Sequence, residues 1–327
     1  MRKLFLGMSL AAAGMLSGQE AGKFVNADPA LDAIVPAGAK IEKLAGGLIF
    51  TEGPLWMHDG GGYLLFSDVP GNAIYKWSPG GKVVDFRRPV FLGKAEKGEF
   101  VGPNGQTLDK QGRLITCEHR NRRISRTEKS GAIVTVVDRF EGKRLNSPND
   151  VVFKSNGDMY FTDPPYGLAK QDGDPAKELQ FNGVYRLTAA GKLEALVKDL
   201  TRPNGLAFSP DEKKLYVANS DPGYKIWMVY DVKADGTLAN GKVFYDVTKQ
   251  TPDGLPDGMK VDVKGNLYCT GPGGIWVFSP QGKAIGAIMP AETPANCAWG
   301  DADGKTLYMT ARTGLYRVKL SIQGIRP

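Results

Sequence analysis

Six residues with oxygen donors stand at matched places in a repeated sentence: Glu52, Asn104, Asn149, Asn204, Asp257 and Asn296. Each opens a short apolar run, in turn EGPLW, NGQTL, NDVVF, NGLAF, DGMKV and NCAW. Singly, Asn or Asp before Gly is an ordinary turn-former. Turn chemistry does not explain the set, because Glu52, a poor turn-former, fills the same slot and no basic side chain does. Carboxylate and amide oxygens converging without Cys or His are ligands for one hard divalent cation. Ca2+ is favoured because it tolerates irregular oxygen sets, with Zn2+ or Mn2+ as alternatives. Two carboxylates balance a divalent charge and leave positions for water and substrate. Without a cation they repel each other in a partly desolvated channel and a pKa rises. His58 and His119 are the only histidines, which disfavours a histidine-built zinc site.

The elements that must position these six residues are short strands. After each opening come a turn (HDGGG, DKQG, KSNG, SPDEKK, DVKG, GDADGK) and a second run (YLLFSD, RLITCEH, MYFTD, LYVANS, LYCTG, LYMTA). A third, alternating segment follows (AIYKWSP, RISRTEK, GVYRLTA, KIWMVYD, GIWVFSP, GLYRVKL). The fourth segments are VVDFRR, IVTVVDRF, LEALVKDL, VFYDV and AIGAIMP, and the sixth copy has none. A period of about 40 to 55 residues is that of a propeller blade, and no stretch has sustained helical periodicity. The fold class is therefore all-β, a six-bladed β-propeller. The orphan piece IEKLAGG, Ile41 to Gly47, is expected to complete the last blade, which closes the ring and leaves no open sheet edge. In a blade whose first strand lies nearest the axis, the six openers share one face of the central channel. Two long insertions, residues 87–102 and 164–182, fall on that same face, where loops of this length are often functional.

Composition bounds the rest. The 327 residues include 42 Gly and 21 Pro, which suits many tight turns between strands. Arg2 and Lys3, an apolar stretch from Leu4 to Leu16 and small residues near Ser17 lay out a secretory signal peptide, 1–20, ahead of a single propeller domain, 21–327. The expected location is periplasmic or secreted, with no membrane association after cleavage. The formal charge of +7 is scattered through turns, apart from Arg120, Arg122, Arg123 and Arg126, and that is too little for a nucleic-acid partner. Three cysteines, Cys117, Cys269 and Cys297, are too few for a disulfide framework.

TEGPLW, SPNDVVF, RPNGLAFSPD and LPDGMKVD, in that order and at blade spacing, resemble the senescence marker protein/gluconolactonase/luciferin-regenerating enzyme family, which includes diisopropyl fluorophosphatase. The resemblance runs from about Ile41 to Leu320. It implies one metal in the channel, held by Glu52, Asn149, Asn204 and Asp257, and leaves Asn104 and Asn296 without the metal. Animal members carry an Arg where Ser147 stands; CEHRNRR and TDPPYG look instead like the bacterial gluconolactonase branch. The implied activity is metal-dependent hydrolysis of a small-molecule sugar lactone. In that reading the metal polarises the carbonyl and Asp257, or a water at the metal, delivers the nucleophile. Asn104, Glu118, His119 and Tyr166 are the candidate substrate-binding residues, His119 being placed at the channel mouth. The alternatives are a phosphotriesterase or other lactonase on the same site, and a non-catalytic ligand-binding propeller.

Overall fold

The computed structural model describes residues 21–327; the stretch read as a signal peptide, residues 1–20, lies outside them. Among the described residues the regular elements, apart from three single turns of 3-10 helix, are strands, and all but those of one two-stranded hairpin form six antiparallel sheets around a ring. Blade 1 comprises Thr51–Met57, Tyr63–Asp68, Ala73–Trp77 and Val83–Arg87 in spatial order. The other blades repeat the pattern with inner strands Pro103–Leu108, Val151–Phe153, Pro203–Phe208, Met259–Val261 and Pro294–Gly300. All seven residues of Thr51–Met57 and of Pro294–Gly300 are buried, because an inner strand has a neighbouring blade on each side. The outer strand Val83–Arg87 is partly solvated throughout.

The apolar core is divided into six clusters, one at each junction between blades. Tyr268, Ile275 and Ile288 of blade 5 meet Trp299, Met309 and Tyr316 of blade 6. Blade 6 in turn meets blade 1 through Tyr308 and Leu315 against Trp56, Leu64 and Trp77. The other four junctions are built alike. Each blade is thus apolar on both faces and cannot bury itself alone.

The last blade is closed as the sequence suggests. Ile41–Ala45 pairs antiparallel with Gly314–Lys319, Ile41 opposite Val318 and Lys43 opposite Tyr316. Glu292 pins this joint: its carboxylate accepts from Lys43 Nζ (2.6 Å), the Tyr316 hydroxyl (2.6 Å), Thr313 N (2.8 Å) and Thr313 Oγ1 (2.7 Å). Two details differ from the sequence reading. Gly22–Asn26 adds a fifth strand to blade 5, Gly22 opposite Pro290 and Asn26 opposite Gly286, and the chain then buries Leu31 and Ile34 against the adjoining cluster. The run IVTVVDRF is not one strand: Ile133–Val137 ends, and Arg139–Phe140 folds back on Lys143–Arg144 through a turn in which Glu141 and Gly142 both have positive φ. All three cysteines are free and buried.

Both insertions are tied down at their roots. Asn72 accepts from Val90 N (3.1 Å) and Phe91 N (2.8 Å) and donates to Phe91 O (2.8 Å). Arg122 donates to Leu145 O (2.7 Å) and to Ala176 O (2.8 Å) in the second insertion.

Candidate functional site

The openers are not turn residues. In four blades the inner strand's register slips at the opener: between Glu52 and Leu55, Pro103 and Gln106, Pro203 and Leu206, and Pro294 and Asn296. Asn149 and Asp257 stand just ahead of Val151–Phe153 and Met259–Val261. Such a bulge frees side chains from the strand's alternation and re-aims them. The glycines after the openers serve close approach. A Cβ at Gly53 would lie 1.9 Å from Asn104 O, at Gly105 2.6 Å from Asn149 O, at Gly205 2.3 Å from Asp257 O and at Gly258 2.0 Å from Asn296 Cγ. Of these four only Gly53 has a positive φ. Each glycine therefore lets one opener abut the next, and the six form a tight collar about the axis.

The second strands brace the collar with hydroxyls. Ser67 Oγ donates to Asn104 O (2.7 Å), Thr270 Oγ1 to Gly258 O and Ala295 O (both 2.9 Å), and Thr310 Oγ1 to Asn296 O (3.2 Å), while Thr162 Oγ1 accepts from Asp150 N (3.2 Å). Among the acids, Glu52 Oε2 accepts from Gly53 N (2.8 Å) and from the Asn296 amide (3.0 Å). Asn204 donates to Ser220 Oγ (2.9 Å), and that hydroxyl donates to Pro256 O.

Burial pushes the Glu52 carboxyl up to about 7, against the pull of the Gly53 and Asn296 donors, and the Asp150 charge adds to the rise. Asp257 is raised well above the usual carboxylate range by burial and then by the charges of Glu52 and Asp150. Its Oδ1 is inaccessible and has no hydrogen-bond partner. Carboxylates gathered this closely, with an orphaned oxygen among them, fit a hard divalent cation, and Glu52, Asn149, Asn204 and Asp257 are the residues that would hold it.

Two charged groups here escaped the sequence reading. Asp150 occupies the slot that four other copies give to Gly; its Oδ1 accepts from Val151 N (2.8 Å) and its Oδ2 is buried without a partner. Lys260, whose Nζ donates to Met259 O (3.0 Å), is the cation that offsets both Asp150 and Glu52. Comparing the second slot across copies (Gly53, Gly105, Asp150, Gly205, Gly258, Cys297) would have exposed Asp150.

The four residues proposed to touch substrate fare differently. Tyr166 places its hydroxyl beside Asn204 and Ser220, and burial, with the Asp257 charge behind it, pushes the phenol well up. Its turn is clamped from below, since Ser147 Oγ donates to Pro164 O (2.6 Å) and accepts from Gly167 N (2.8 Å). Asp163 in turn accepts from Asn146 N (2.7 Å) and Ser147 N (2.8 Å). Asn104 lies in the collar with its Oδ1 buried and unpartnered. His119 is not at the mouth: it is fully buried beneath Gly167, whose Cβ would lie 2.7 Å from His119 C, and its Nε2 is 3.1 Å from Asn104 Nδ2. Burial lowers it to about 4, so the ring is neutral. Glu118 does not face substrate either. Oε1 receives Arg87 Nη2 (2.8 Å) and Ser125 Oγ (2.6 Å); Oε2 receives Arg123 Nε (2.8 Å) and Asn121 Nδ2 (2.6 Å). Four donors saturate the carboxylate and, despite burial, hold its pKa below the ordinary value.

Residues 50–313, which contain all six openers, match the family described as SMP-30/Gluconolactonase/LRE-like region. The chain belongs to this family. Within the SMP-30/gluconolactonase/LRE-like group it is similar to the gluconolactonase of Zymomonas mobilis, 39% identical over 330 residues that cover 97% of this chain and 92% of that one. A solved gluconolactonase structure from Xanthomonas campestris aligns with a TM-score of 0.76 and 33% identity, covering 92% of this chain and 98% of the other. The diisopropyl-fluorophosphatase of Loligo vulgaris is 24% identical over 273 residues, 80% of this chain and 85% of its own length.

Proposed function

We propose that this chain hydrolyses a sugar lactone of the gluconolactone type in its central channel, with one divalent cation, Ca2+ favoured, held by Glu52, Asn149, Asn204 and Asp257. The observation that carries the reading is the four-oxygen set with its orphaned Asp257 Oδ1, in a chain 39% identical to a gluconolactonase. When bound, the cation supplies Lewis acidity toward an ester carbonyl. The protein's own residues do the rest. Asn296 and the Gly53 amide orient Glu52, and the Lys260 charge offsets part of the negative charge of Asp150 and Glu52, so that the acids of the collar present a net negative charge to the ion. The Asp257 carboxylate accepts the proton of the attacking water as the water oxygen bonds to the carbonyl carbon. The ring C–O bond then breaks and its oxygen takes up a proton, giving the hydroxy acid. Tyr166, whose phenol stays protonated, donates toward the substrate, and Asn104 is the collar amide left to meet a substrate hydroxyl.

The test is pH-stat hydrolysis of D-glucono-δ-lactone, an acyl homoserine lactone and paraoxon, each with Ca2+, Zn2+, Mn2+ or a chelator. Turnover of the sugar lactone that chelator removes and Ca2+ restores is expected. Preference for paraoxon would move the assignment to phosphotriester hydrolysis, and no metal-dependent turnover would leave a ligand-binding propeller.

A further inference from the structure

Beyond the collar lies a cavity of about 360 Å3. All six inner strands line it, from Leu55 in blade 1 round to Trp299 in blade 6, and always with residues downstream of the opener. It therefore lies at the end of the channel away from Asp257. Residues 325–327 complete the wall. They are held there by Ile325 N, which donates to Val261 O (3.0 Å), and by Gly324 N, which donates to Gly304 O (2.9 Å). A Cβ at Gly324 would lie 1.8 Å from Trp299 Cγ, so this strap is pressed flat on the indole. The volume falls within the ~300–1,000 Å3 of small-molecule sites. We propose that this cavity binds an aromatic acid, ring system inward and acid group at the rim, as a site separate from the collar.

The walls select the ring. Trp56, Phe153, Phe208 and Trp299 border the space, and aromatic faces and edges suit a flat ring. The rim selects the charge. Its acids are already paired, Asp109 with Arg113 (2.7 Å) and Glu212 with Lys154 (2.8 Å), whereas Lys110 and Arg326 belong to no ion pair among the described residues. Lys110 is exposed and Arg326 half-buried, so the rim opens to water. Arg326 spends one nitrogen on Asp301 O (2.7 Å) and keeps its other donors. Orientation follows from the collar. Lys260, at the inner end, is offset by Asp150 and Glu52, and Asp257 adds a further carboxylate, so the inner end repels an anion. The acid group therefore stays with Lys110 and Arg326, and the ring fills the apolar depth.

The test is isothermal titration of the full chain with 2-naphthoate, and with neutral 2-naphthamide as the control, in Ca2+ and again in chelator. A Kd below ~1 mM is expected for the acid. It should be at least about tenfold tighter than for the amide, and equal within about twofold in the two buffers, because no collar cation takes part. Val152→Phe, which fills the cavity from blade 3, should weaken the acid at least about tenfold. Lys110→Met combined with Arg326→Met, two changes at the rim, should bring the acid down to the affinity of the amide. No binding, or equal affinity for acid and amide in the unaltered protein, overturns the proposal. Binding confined to Ca2+ also overturns it, by placing the ligand at the collar, and so does unchanged binding to Val152→Phe or a rim double variant that still prefers the acid. Should Val152→Phe fail to fold, the rim pair decides alone. None of these titrations needs turnover, so the lactonase reading and this site fail separately.

Discussion

Asp257 carries two opposed demands in one side chain. Buried with Glu52 and Asp150 bearing on it, its carboxylate destabilises the metal-free protein, yet that same unsatisfied charge is what would recruit the cation of the proposed function. Asp257→Asn is therefore expected to cut turnover at least ~100-fold. It should also raise, not lower, the melting temperature measured in chelator. Calorimetry in chelator beside pH-stat kinetics checks both, and a lower melting temperature with activity retained would remove Asp257 from its role. At this scale the sequence showed the collar, because donor type and slot recur six times. Asp150 shows only when the second slot is compared across copies, and Lys260 sits in a position that reads as an ordinary strand residue. Glu118 misled for a physical reason: residue type suggested a ligand, but the fate of a buried carboxylate depends on its donors. One of them, Arg87, comes from an insertion root in another blade.

Strands were easier to read than the joints between them. Alternation and turn residues located the four-strand blades, whereas the two-residue strands of the Arg139–Arg144 hairpin are too short to carry a pattern and Gly22–Asn26 lies ahead of the repeat and matches none of its segments. Nor could spacing reveal that Ser147, in place of the animal members' Arg, serves to clamp the Pro164–Gly167 turn. That clamp makes Gly167 a sensitive joint between fold and site. In Gly167→Ala the new methyl meets His119 and Ser147 atoms at under 3 Å, so the turn must lift and take Tyr166 with it. The expected result is a stability loss of about 1–3 kcal/mol by urea melts. A kcat reduced roughly tenfold should accompany it. A stability loss with kinetics unchanged would show that Tyr166 has no part in the reaction.

The whole ring depends on one seam. Burial works against the Glu292 charge, but donors from Lys43, Tyr316 and Thr313 prevail and hold its pKa at about 2. A carboxylate depressed in the folded state contributes fully above its unfolded value of about 4.3 and loses that contribution as pH falls toward the folded value. The melting temperature should thus decline from about pH 4.5 toward pH 2, and Glu292→Gln should lower it at neutral pH while flattening that decline. Melting curves across pH for both proteins check this, and parallel curves would rule it out. The closing strand was legible because a blade lacking its fourth segment and an unclaimed strand-like piece account for each other.

That seam also sets the order of events on the ribosome. Ile41 is made before the six blades and its partner Val318 belongs to the sixth of them, so a nascent chain holds an unpaired strand while the blades between the two are made. Pairing across such a sequence distance is slow, because the loop entropy is lost before the contact is gained. At high concentration a front strand can find blade 6 of another molecule before its own, which makes strand-exchanged dimers the characteristic misassembly of this ring.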